Sequence, residues 1–262
     1  MPPLLGVHGV GNYKHFRQAG TVDGAAAALA GRWSAALGRD FAVAYYAHHL
    51  HRGTPQGPGD DPAALPDEAQ DLLVAWVEAL RDGVAVSQGT RTVRARQAAD
   101  WLTRRYGAAA RAFAVVFCRE VHTYLAKPGS PRRVAARRAV ADAVATHRPK
   151  VVVAHSLGSV VAYEALWAHP EHDVDLLVTV GSPLGMPGVV APRLLPADAA
   201  RPPRVARWVN VADVGDPVAV PRTGLRDLFT GVERDVAVVM GEWRAHGVSS
   251  YLRTPEVAAL LE

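Results

Sequence analysis

Apolar residues in this chain fall into two kinds of run, and the contrast predicts most of its elements. Short, nearly unbroken runs occur at PLLGVHG (3–9), KVVVAHS (150–156), VDLLVTVGSP (174–183), RVARWVNVADVGDPV (204–218) and DVAVVMG (235–241). A strand with one wet face alternates apolar and polar positions, whereas these runs predict strands covered on both faces, as in a parallel sheet. DFAVAYYAHHL (40–50), with β-branched and aromatic residues, predicts one more strand. The longer runs follow a helical period instead. TVDGAAAALAGRWSAALG (21–38) has helix composition, with Thr21 or Asp23 as N-cap, and DEAQDLLVAWVEAL (67–80) places Leu72, Leu73, Trp76, Val77 and Leu80 on one face. The arginine-rich segment 91–106 reads as helix, and so does LGSVVAYEALWAH (157–169), stopped by Pro170. ARAFAVVFCREVHTYLA (110–126) is apolar nearly all round, which leaves helix and buried strand both open. HRGTPQGPGDDPAALP (51–66) reads as a surface excursion.

Strands alternating with helices predict an α/β fold: one domain over 1–262, a mainly parallel sheet with helices on both faces, and a helical cap insertion around 60–147. A chain of 262 residues, 49% of them hydrophobic, has ample material for such a core. Its single cysteine, Cys118, excludes an intramolecular disulfide and any CxxC metal or redox site, and its apolar setting predicts a buried, inert thiol. The formal net charge of +4 raises nucleic acid as a partner. The charge is almost all arginine, and the densest cluster, Arg132, Arg133, Arg137 and Arg138 in PRRVAARRAV, reads as the solvated face of an amphipathic helix. No nucleic-acid motif accompanies it. No basic, apolar leader opens the sequence and no run is long enough to span a bilayer, so a soluble cytoplasmic protein without stable membrane insertion is expected.

The chemistry concentrates at Ser156. It stands between the valines of KVVVAHS and an apolar helix, with Ala154 two residues before and Gly158 two after. As a helix N-cap it would be commonplace. As a phosphate-binding turn it lacks the glycine-rich loop and the lysine. As a nucleophile it needs a sharp strand-to-helix turn flanked by very small residues, and the helix start then offers free N–H groups to a developing oxyanion. Ala154 and Gly158 meet that steric demand, with alanine where glycine is usual at the first position. AHSLGS after VVV resembles the nucleophile elbow of the α/β-hydrolase superfamily, particularly its lipase- and esterase-like branches. The likeness extends over most of the chain outside the helical insertion.

That resemblance implies the chain order serine, acid, histidine. Asp216 in VGDPV resembles the family's acid loop, with Asp213 as the substitute; turn formation is the competing reading for either. His246, the only histidine beyond that loop, is implied as the base. GVHGVGN (6–12) resembles the lipase oxyanion loop, which implies the N–H groups of Val10 and Leu157 as oxyanion donors. Gly9 and Gly11 would let the backbone approach substrate, His8 would hold the loop, and Ser182 in GSPLG would line the pocket. His48, His49 and His51 invite a metal site, but adjacent histidines in a strand point to opposite faces, so no metal is expected, and no cofactor. The function so implied is hydrolysis of a carboxylic ester, with a small-molecule acyl substrate as partner, through an acyl-serine intermediate. A thioesterase, amidase, acyl transferase or cyclase could use the same triad, and a catalytically silent binding module is the reading from another class.

Overall fold

The structure, a computed structural model, describes residues 4–51, 53, 60–241 and 246–262. Among the described residues, six strands form one sheet: β1 (Leu4–Val7), β2 (Phe41–Ala44), β3 (Val151–His155), β4 (Val174–Val180), β5 (Val205–Asp213) and β6 (Arg234–Val238). They lie in the order β2-β1-β3-β4-β5-β6, and every neighbouring pair is parallel. Unbroken apolar sequence becomes intelligible here, because both faces are covered. On one face Leu5, Val7, Val152, Ala154, Leu177 and Trp208 share a single apolar cluster with the helices between β2 and β4. These are α3 (Ala47–Leu50), α4 (Asp67–Leu80), α5 (Arg91–Tyr106), α6 (Ala109–Leu125), α7 (Pro131–His147) and α8 (Leu157–Ala168). On the other face Val153, Val178 and Val209 pack with Trp33 of α2 (Val22–Leu37) and with Tyr251 and Val257 of α9 (Val248–Leu252) and α10 (Pro255–Leu261).

Strand order also locates a crevice. From β1 the chain passes through α1 (Tyr13–Ala19) and α2 to β2 on one side, then returns to β3 on the other. The connections leaving the carboxyl ends of β1 and β3 therefore diverge, and such a switch point opens a cleft beyond the strand ends. GVHGVGN and AHSLGS both sit at that edge.

Several expectations need correction. DFAVAYYAHHL is strand only over β2, because Tyr46, Ala47 and Leu50 turn inward and the four residues of α3 (Ala47–Leu50) follow. The histidines there are consequently not in a strand. The His48 and His49 rings lie 3.8 Å apart and His51 stacks on Tyr13 at 3.6 Å. The segment 110–126, open between helix and strand, resolves as the helix α6, with Ala110, Ala114, Phe117, Cys118, Val121 and Leu125 buried at helical spacing. The insertion is more than a lid, since α4–α7 share the sheet's own apolar cluster. Thr21, not Asp23, caps α2, its hydroxyl accepting from Gly24 N–H at 3.1 Å. Among the described residues, no helix is long and apolar enough to cross a membrane.

Arg133 departs furthest from its expected solvated position. It is 0% exposed, and its guanidinium forks onto the equally buried Glu164 of α8, with Nε donating to Oε2 at 2.9 Å and Nη2 to Oε1. Tyr124 Oη donates to Glu164 at 2.7 Å, Leu195 N–H donates to it at 3.1 Å, and Arg133 Nη2 also reaches the Arg193 carbonyl at 2.7 Å. The charged group is buried because four segments converge on it. Val134, beside it, is exposed. Removing one member of such a pair strands a charge, so Glu164→Ala is expected to cost about 3–5 kcal/mol by urea unfolding. Joint replacement by Arg133→Met and Glu164→Leu should recover most of that loss; a joint variant no more stable than the single one would contradict this reading.

Candidate active site

The turn after β3 is strained in a way a cap does not need. Ser156 has φ 54° and ψ −132°, and its side chain makes no cap hydrogen bond to α8. Positive φ in a non-glycine residue costs about 1–3 kcal/mol and persists only where the surroundings enforce it. Here Ser156 N–H donates to the Val180 carbonyl at 3.1 Å, and its own carbonyl accepts from Ser159 N–H at 2.9 Å and Ser159 Oγ at 2.6 Å. The small neighbours have identifiable reasons. A Cβ on Gly158 would stand 2.4 Å from the carbonyl oxygens of both Val7 and His8, and one on Gly9 would meet Ser156 Cβ at 2.6 Å. Ala154 is fully buried between its β1 and β4 partners, Val7 and Thr179.

Beyond the elbow, three side chains from distant parts of the chain form one hydrogen-bonded line. Ser156 Oγ lies 3.0 Å from His246 Nε2, and His246 Nδ1 lies 2.8 Å from Asp216 Oδ2 and 3.0 Å from Oδ1. An ionised carboxylate accepts only, so Nδ1 carries the proton and Nε2 is left to accept from the serine hydroxyl. Burial pushes the Asp216 carboxyl up. The neighbouring His246 imidazole, with hydrogen bonds from His246, Tyr251 and Val218 N–H, outweighs this and holds it below the usual carboxylate value. Asp213 does different work: its carboxylate accepts from Gly215 N–H at 3.0 Å and Met240 N–H at 2.7 Å, tying the ends of β5 and β6. Asp216 is the residue that reaches the imidazole.

Residues 8–12 form a loop against the elbow, and its conformation is over-determined. His8 Nδ1 donates to the Gly9 carbonyl at 2.9 Å, while Nε2 accepts from Tyr46 N–H at 3.2 Å. Tyr46 Oη donates to the His8 carbonyl at 2.6 Å, and the Asn12 amide donates to the Gly9 carbonyl at 2.9 Å. His8 thus has the loop-holding part expected of it, and Gly9 and Val10 line the cleft. Gly11 does not. It takes φ 77° and donates its N–H at 3.0 Å to Glu120 of α6, whose carboxyl burial pushes up to about 7. Ser182 also fails to line the cleft. It is buried, sharing a 2.7 Å hydrogen bond with Ser159 Oγ, because Gly181 (φ 55°) swings the chain inward beside Asp216.

A cleft of about 430 Å³ opens beside the elbow, walled by Gly9, Val10, Phe113, His155 and His246. Ser156 itself is fully buried at its margin, where the Phe113 ring stands edge-on to His246 at 5.1 Å. Among the described residues, the one group with metal-ligand spacing is His169, Glu171 and His172, whose ligand atoms lie within 4.8 Å of one another. It follows the far end of α8, about 18 Å of helix from Ser156. Comparison of the chain with protein-family models, with curated proteins and with solved structures gives no match.

Several residues of this site carried no role in the sequence reading. Tyr251 Oη donates to Asp216 Oδ2 at 2.7 Å and accepts from Asp213 N–H at 3.0 Å. Trp76 of α4 donates its Nε1–H to the Pro217 carbonyl at 2.7 Å, pinning the acid loop from the insertion. His155 Nε2 donates to the His246 carbonyl at 2.6 Å. A signal existed only for the two nearest the motifs, His155 beside Ser156 and Tyr251 in HGVSSYL after His246; Trp76 reads as ordinary core.

Two outcomes are expected. Gly158→Ala should destabilise the fold by several kcal/mol, about 2 or more on the scale of overpacked cores, since a Cβ there meets backbone; an unchanged urea midpoint would contradict the tight approach. Burial lowers the His155 and His8 imidazoles to about 3 and about 4. From an unfolded value near 6.5 down to those values, the unfolded chain binds protons that the folded chain refuses, so stability falls as pH falls. Urea midpoints should drop between pH 6.5 and 4.5, less steeply in His155→Gln, and a flat profile would argue against neutral buried imidazoles.

Proposed function

We propose that this chain is a serine hydrolase of the α/β-hydrolase type that cleaves carboxylic esters through an acyl-serine intermediate. The observation that carries the reading is the unbroken line Ser156 Oγ, His246 Nε2, His246 Nδ1, Asp216, set on a strained turn at a sheet's carboxyl edge. A helix cap has no use for a positive φ, and a structural serine has no use for an imidazole oriented by a buried carboxylate.

In this mechanism Ser156 Oγ attacks the ester carbonyl carbon as its proton passes to His246 Nε2. Asp216 keeps Nδ1 protonated and stabilises the imidazolium that forms. The carbonyl oxygen becomes an oxyanion, and the N–H groups of Leu157, at the start of α8, and Val10, in the loop held by His8 and Asn12, are the donors assigned to it. Collapse of the tetrahedral species breaks the ester C–O bond, with the imidazolium proton leaving on the alkoxide. Water then attacks the acyl-serine, giving its proton to His246, and a second collapse returns that proton to Ser156 as the acid departs. Ser156 is buried, so entry of a substrate requires displacement at the cleft floor, where Phe113 borders His246.

The test is steady-state hydrolysis of 4-nitrophenyl esters. Wild-type protein is expected to turn over, Ser156→Ala and His246→Ala to fall to background, and Asp216→Asn to lose roughly 10⁴-fold in kcat through the wrong imidazole tautomer. Well-folded protein that turns over no ester would leave a binding module, and a Ser156→Ala variant at the wild-type rate would overturn the assignment.

A further inference from the structure

The cleft has a polarity that general esterase chemistry does not need. Its apolar wall is formed by Leu29 and Trp33 of α2, Phe113 of α6 and Val248 of α9. Two cations, Lys14 of α1 and Arg32 of α2, line the same cleft, and among the described residues no aspartate or glutamate does. Neither cation has an ion-pair partner among the described residues, although eight other arginines and one other lysine do. The nearby carboxylates of the site are committed inward, Asp216 to His246 and Tyr251, and Glu120 to Gly11 N–H. The two cations also act together on one group: the buried His15 imidazole is lowered first by its burial and then by Lys14 and Arg32. Of the histidines in the wall, His8 and His155 are held neutral and add no charge, and His246 is hydrogen-bonded to the Asp216 carboxylate. Among the described residues this leaves a cleft with an apolar wall and a positive lining on α1 and α2 at neutral pH.

Resting on the hydrolase reading, we propose that the ester this cleft takes bears a negative charge at the end of its acyl or alcohol part away from the scissile bond, a carboxylate or phosphate held by Lys14 and Arg32. The apolar wall covers the intervening carbon chain, and the cations hold the remote anion without touching the reacting atoms. Lysine offers a point charge and arginine a two-pronged donor face, a combination suited to either anion. Both cations are solvent-exposed, so each contributes modestly and is screened by salt.

The test compares 4-nitrophenyl heptanoate with the mono-4-nitrophenyl ester of heptanedioic acid and with 4-nitrophenyl 7-(phosphonooxy)heptanoate, each rate corrected for spontaneous hydrolysis. The anionic esters are expected to show kcat/KM about tenfold above the neutral one at low ionic strength, with the gap closing in 0.5 M salt. The larger of the two anionic ratios identifies carboxylate or phosphate. Lys14→Ala with Arg32→Ala should bring the ratio to about 1 through KM, while Lys14→Arg with Arg32→Lys should retain it. A neutral ester turned over as well as the charged ones, or a preference that survives the double alanine variant, would overturn the proposal and leave the esterase reading standing. Titration calorimetry of heptanedioate into Ser156→Ala protein separates the other failure. Heptanedioate binding that the double alanine variant loses, with no ester turned over by wild type, would uphold anion recognition and sink the hydrolase reading; absence of both binding and turnover would sink both.

Discussion

The site depends on how closely the start of α8 approaches the end of β1. Gly158 sits where any side chain would penetrate the carbonyl oxygens of Val7 and His8, and Gly9 sits where one would penetrate Ser156. Those two contacts force the elbow and the residue 8–12 loop into one unit. The strain at Ser156 is offset by this unit: its N–H extends the ladder to β4, and its carbonyl is doubly bound by Ser159. Parallel strand order supplies the other half of the constraint, because only at the switch between β1 and β3 do two such connections diverge and leave room above the serine.

Around that unit the polar groups are buried and satisfied rather than dispersed. Asp216 is held by Tyr251 from α9 and by the backbone of Val218, and its loop is anchored through Pro217 to Trp76 of α4. His155 grips the carbonyl of His246, and Glu120 of α6 grips Gly11. The helical insertion therefore reaches the site through Trp76, Phe113 and Glu120. In surroundings of low polarity such hydrogen bonds are stronger than in water and orient their groups without reorganisation, which is what oriented acid–base chemistry requires. The same burial keeps His8 and His155 neutral, so the positive lining of the cleft comes from Lys14 and Arg32.

Much of this was legible in the order of residues. The strands announced themselves by unbroken valine and leucine runs, since two covered faces leave no polar period, and Ser156 was legible from the small residues that flank it after β3, whereas Asp216 and His246 followed from the chain order that the resemblance implies. What stayed hidden was hidden for physical reasons. Tyr46 to Leu50 has strand composition, but burial of Ala47 and Leu50 against neighbouring helices turns it into a helix. Arg133 looked solvated because helical spacing says nothing of a glutamate 31 residues away that meets it inside the protein. Ser182 and Gly11 matched the loops of the resembled family in sequence, yet positive φ at Gly181 and Gly11 directs these segments to structural partners. Trp76 was unreadable as part of the site because its indole hydrogen bond joins segments 141 residues apart.

The central claim is that His246, oriented by Asp216, makes the Ser156 hydroxyl nucleophilic. Its most direct measurement is the intact mass and peptide map of the folded protein after exposure to a fluorophosphonate. One adduct on the peptide carrying Ser156, sharply reduced in His246→Ala, is the predicted result. Protein that keeps its fold and stays unmodified, or that carries the adduct on Ser159, Ser182 or Ser249 instead, would contradict it.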